Sequence, residues 1–154
     1  MPNTKSIGVA YSDQEIIGGN LDNTPVGAGT PSTVNGTTIY ATQEIGYAVS
    51  AQGTVTQLTD KSTAVTLNKS AGRITMNGAS LATATNATFT LNNSLISAND
   101  TVILTISGGQ ATPGSYNVFA NALGAGTVSI TLRNISGGTL SEAVIINFCI
   151  IHGA

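Results

Sequence analysis

From Gly53 onward, apolar and polar residues alternate in short runs separated by turn residues, a pattern that predicts strands rather than helices. The clearest run is Thr127-Val128-Ser129-Ile130-Thr131-Leu132-Arg133, where Val128, Ile130 and Leu132 share one face and the polar residues share a wet one. The same alternation groups Val102, Leu104 and Ile106 in one strand, and Tyr116, Val118 and Ala120 in another. Strands are expected near 53–58, 63–68, 72–77, 86–92, 100–107, 115–122, 126–134 and 142–151. Turns are expected at Gly108-Gly109, Pro113-Gly114, Gly124-Ala125-Gly126 and Gly137-Gly138. Connections this short suit antiparallel neighbours. The fold class that follows is all-β: an antiparallel, jelly-roll-like β-sandwich of about eight strands with an extended N-terminal arm.

The last strand breaks the alternation. Ala143, Ile145, Cys149 and Ile151 point one way, and Val144, Ile146, Phe148 and Ile150 point the other. One apolar face fills the core; leaving the other wet would forfeit about 1.5–3 kcal/mol of burial for each large side chain. A subunit interface is the simplest cover, with Val144, Ile146, Phe148 and Ile150 as its candidate residues. The competing reading makes the strand central and covers its second face with loops or the arm of the same domain.

Composition divides the chain near residue 50, into an arm (1–50) and a sandwich domain (51–154). In the arm, short apolar clusters are separated by Gly18-Gly19, Pro25, Gly27, Gly29 and Pro31, and such a stretch closes no core alone. Ser12-Asp13-Gln14-Glu15 has capping-box spacing and Gly18 follows as a stop, so one short helical turn is expected there. The rest reads as extended chain, about 20 residues of which reach roughly 70 Å. Ile7, Val9, Ile16, Ile17 and Ile39 are its candidate anchors on a neighbouring surface.

Only 8% of the 154 residues are charged, so Thr, Asn, Ser and Gly carry solubility, and long amphipathic helices lack their usual surface residues. A net charge of −2, with Lys5, Lys61, Lys69, Arg73 and Arg133 scattered, argues against a nucleic-acid partner. No apolar stretch is long enough for a signal peptide or a membrane span, so no membrane partner is expected and assembly is placed in the cytoplasm. Sequons at Asn35, Asn68, Asn86, Asn92, Asn99 and Asn134 then read as products of composition.

Candidate chemistry is sparse. Cys149, the single cysteine, lies in an apolar strand and is expected as a buried free thiol. His152, the single histidine, has no second histidine or cysteine cluster with which to build a metal site, and is expected exposed. Asp13, Glu15, Asp22, Glu44, Asp60, Asp100 and Glu142 are widely spread. No phosphate-cradling or nucleophile-elbow motif is present, and with no Trp there is little platform for stacking sugars. Tyr11, Tyr40, Tyr47 and Tyr116 are expected to pack. No enzyme activity and no cofactor are expected.

Residues 56–69 (TQLTDKSTAVTLNK), 72–76 (GRITM), 89–94 (FTLNNS) and 134–148 (NISGGTLSEAVIINF) together resemble a module of tailed-bacteriophage virion structural proteins. In the arm, residues 21–27 (LDNTPVG) followed by 30–32 (TPS) look like a short element of phage fibre and head-decoration chains, without the aromatic that usually follows. The resemblance implies a capsid decoration (cement) protein, often a trimeric β-sandwich seated on the shell, or a part of a fibre or collar. One domain plus one arm, with no short repeat, favours cement. The expected partners are a homotrimer's own copies, the major capsid protein and neighbouring decoration subunits on the virion surface. The alternative is a tail, collar or fibre module that contributes to host-surface binding; a glycan-active enzyme is the third.

Overall fold

A computed structural model of the chain describes Gly36 and residues 38–153. The chain divides between Thr42 and Gln43. The described residues before that point carry no helix or strand, and among the described residues the regular structure lies in the unit from Gln43. It opens with a 3-10 turn, Val49–Ala51, followed by β1 (Gln52–Thr56), β2 (Val65–Thr66), β3 (Ala71–Thr75) and β4 (Asn86–Asn92). The second half contributes β5 (Thr101–Gly108), β6 (Tyr116–Gly124), β7 (Thr127–Asn134) and β8 (Ile145–Ile151).

Two four-stranded sheets form, in the orders β1-β3-β8-β5 and β2-β4-β7-β6, and they pack face to face as a β-sandwich. Val128, Ile130 and Leu132 from β7, Phe89 and Leu91 from β4, Ile74 from β3 and Ile146 and Ile150 from β8 meet in one core. Each such side chain contributes about 1.5–3 kcal/mol by leaving water. Val102 is buried with them, while Leu104, Ile106, Val118 and Ala120 are partly buried against the same cluster, as the alternation in their strands predicts.

Three local expectations need correction. First, β1 pairs with β3, and β2 with β4, in parallel. The first four strands alternate between the sheets, so same-sheet neighbours are two strands apart in sequence and run the same way. Only β6 and β7 are joined as sequence neighbours in one sheet, through the turn at Gly124-Ala125-Gly126, with Gly126 at a φ of +78°. Second, β2 is two residues long, because residues 57–63 fold into a polar loop: the Asp60 carboxylate accepts from the Ser62 N–H and hydroxyl and the Thr63 hydroxyl. Third, the outer face of β7 is not uniformly wet. Thr131 is 1% exposed, its hydroxyl shared with that of Thr88 at 2.7 Å and accepting from the Asn121 amide.

Candidate functional site

β8 is a central strand, flanked by β3 and β5. Its face of Val144, Ile146, Phe148 and Ile150 is the inner one: all four are buried in the sandwich core. These residues are therefore not an interface, and the candidate assignment is corrected. The opposing sheet covers them, which leaves the outer face to Ile145, Asn147, Cys149 and Ile151. Register places Ile103 of β5 beside Cys149, and Thr105 of β5 and Arg73 of β3 beside Asn147. Ile103 and Ile151 remain 46% and 52% exposed.

Residues 45–51 form a strap from the end of β8 to β1. The Tyr47 hydroxyl donates to the Ile150 carbonyl, and the Tyr47 carbonyl accepts from the Gln52 amide at 2.8 Å. Burial raises the Tyr47 phenol above its ordinary range, with Cys149 and Asp100 adding to the shift. A cleft of about 430 Å³ opens beside the strap, lined by Ile45, Gly46, Tyr47, Cys149, Ile151 and His152. Cys149 is a free thiol, half-buried on this outer face rather than in the core. Tyr47 turns its side chain inward, whereas Ile45 and Val49, two residues to either side, are 80% and 86% exposed. Tyr40, expected to pack, is exposed, whereas Tyr116 is buried.

At the other side of this cleft Asp100 gathers the end of the chain. Its carboxylate accepts from the Ser97 N–H and hydroxyl, both at 2.8 Å, from the Gly153 N–H at 3.1 Å, and meets His152 Nδ1 at 3.0 Å. The Ser97 backbone N–H does most to bring this carboxyl down to about 2, against the opposing effect of burial. Ser, Asp and His thus lie together, but the Ser97 hydroxyl spends its proton on Asp100. A nucleophile would instead bond the histidine. The arrangement ties residues 152–153 to the loop before β5.

A second polar cluster fastens the loops at the other end. Lys61 is 4% exposed and donates to the backbone carbonyls of Asn77 and Glu142. Burial lowers its pKa, partly offset by the Glu142 charge. Gln57, also buried, donates to the Lys61 and Thr63 carbonyls and accepts from the Asn77 N–H. The Glu142 carboxylate accepts from the Ala111 N–H at 2.7 Å. Burial, then Glu142, pushes the Tyr116 phenol up to about 12. Asn93 and Asn134 play the same part elsewhere: each is buried, donates to backbone carbonyls and closes a turn through its own Oδ1. Apolar–polar alternation does not mark these four side chains as anchors. Long polar side chains inside otherwise apolar or turn-forming segments were the signal.

Ile7, Val9, Ile16 and Ile17, and the helical turn expected at Ser12–Glu15, lie outside the described residues. Ile39 is described and is 61% exposed. Among the described residues no group of three or more His, Cys, Asp or Glu is placed to hold a metal ion. No protein-family model and no curated protein matches the chain.

Proposed function

We propose that the protein is a structural component of a tailed-phage virion that decorates and stabilises the capsid shell, by association with its own copies and with the major capsid protein. The observation that carries this reading is the outer face of the β1-β3-β8-β5 sheet and its strap, where Ile45, Val49, Ile103 and Ile151 present aliphatic surface to water. Aliphatic surface held out by an anchored segment is suited to another protein surface. The four segments that resemble a module of tailed-phage virion proteins add a second line of support. Val144, Ile146, Phe148 and Ile150 lie in the core and offer no surface to a second copy. Self-association then falls to another surface.

Labelling the protein on intact particles tests the reading. Many copies distributed over the head, with shells that break at lower temperature when the protein is absent, are the expected result. A location confined to the tail, or binding to host cells by the purified protein, would replace it with the tail, collar or fibre module.

A further inference from the structure

We infer that the strap of residues 45–51 is a contact between two copies of this chain, packed antiparallel about a twofold axis. The strap is held in place: Tyr47 is bonded to β8, Gln52 donates to the Tyr47 carbonyl, and the Lys69 ammonium donates to the Ser50 carbonyl at 2.8 Å. To either side of Tyr47, Ile45 and Val49 stand almost fully in water, Ile45 lining a cleft with Ile151 and Val49 lining one with Arg73. A segment ordered in this way loses little further entropy when a partner covers it.

Charge indicates which partner. Glu44 is exposed and precedes the strap directly, at the end by Ile151. Lys69 and the exposed Arg73 lie at the opposite end, Lys69 bonded to Ser50 and Arg73 lining a cleft with Val49 and Gln52. The strap is therefore acidic at its start and basic at its finish, with aliphatic side chains between. A second strap running the other way sets each Glu44 against the partner's basic end and lays Ile45 on Val49. A twofold contact requires this self-complementarity, in which one residue meets another and the second meets the first.

The inference rests on the self-association in the proposed function but not on the place in the virion, and its test uses purified full-length protein without particles. Sedimentation across micromolar to submillimolar concentration is expected to show a monomer–dimer equilibrium. Ile45→Asp with Val49→Asp should weaken it by roughly 100-fold or more, while circular dichroism and the unfolding midpoint stay unchanged at dilutions where the unaltered protein is monomeric, because both positions are exposed. Glu44→Lys alone should weaken the dimer at low salt. Adding Arg73→Glu to Glu44→Lys, which leaves the Lys69 tie to Ser50 intact, should recover part of the lost association, since the two ends again carry opposite charges. A monomer at every concentration, a trimer, or a dimer indifferent to Ile45→Asp/Val49→Asp would overturn the contact. None of those outcomes bears on whether the protein binds shells, which the labelling of particles decides separately.

Discussion

Lys61 and Glu142 meet across 81 positions of sequence, the buried ammonium of one donating to the backbone carbonyl of the other. The same ammonium holds the Asn77 carbonyl at 2.6 Å, so one side chain from the β1–β2 loop fastens the segment after β3 and the segment before β8. An ammonium so buried keeps its proton by having such acceptors around it.

Replacing Lys61 by Met retains the aliphatic stem and removes the donor. Two carbonyls then lose their partner, and about 1–3 kcal/mol of stability should be lost in urea denaturation. Lys69→Met is the control: its bond to Ser50 is exposed, and a change within about 0.5 kcal/mol is expected.

How far these features could be read from sequence depends on the residue. β7 was legible because Val128, Ile130 and Leu132 alternate with polar neighbours, and all three are fully buried. The inner face of β8 was not, because both of its faces are apolar and periodicity assigns no preference between them. Asn147 supplied the missing sign: it shares a face with Ile145 and Cys149, and its side-chain oxygen accepts from the Ser107 hydroxyl at 2.9 Å outside the core. Parallel pairing of β1 with β3 was illegible for another reason. No turn links strands two apart, so nothing local records their register. Strap residues Ile45 and Val49 carried no signal either, since an exposed aliphatic reads like a core residue until the fold shows where it points.

Acid should act through Asp100. Its folded pKa, about 2, lies below the ordinary aspartate value, so the proton binds more tightly to the unfolded chain. The stability it contributes is present above pH 4 and is lost as the pH falls from about 4 through 2. Urea midpoints of the protein and of Asp100→Asn should therefore differ at pH 6 and converge near pH 2. A gap that persists at pH 2 would assign the effect to packing instead of charge.

Gly109 and Gly114 should respond differently to alanine. Both adopt positive φ, +78° and +83°. A Cβ on Gly109 would sit 2.0 Å from the Ala143 carbonyl oxygen, whereas one on Gly114 meets nothing within 4 Å. Gly114→Ala should cost only the left-handed conformation, about 1–2 kcal/mol. Gly109→Ala must also push the chain before β8 away, and a loss larger than that of Gly114→Ala is expected by thermal or urea unfolding.

Neighbouring residues on β8 offer the sharpest check of its orientation. Ile146 is fully buried against the opposing sheet, and Ile145 is half-buried on the outer side. Truncating Ile146 to Ala leaves a cavity that the packed sheets only partly close, which should cost about 2–5 kcal/mol. Ile145→Ala removes side chain from a surface already partly wet and should cost less than half of that. Because Ile146 belongs to the core of one chain, its loss should be the same at low and high protein concentration. A penalty for Ile146→Ala that disappears on dilution, with the unaltered protein losing stability in parallel, would return this face to a subunit interface.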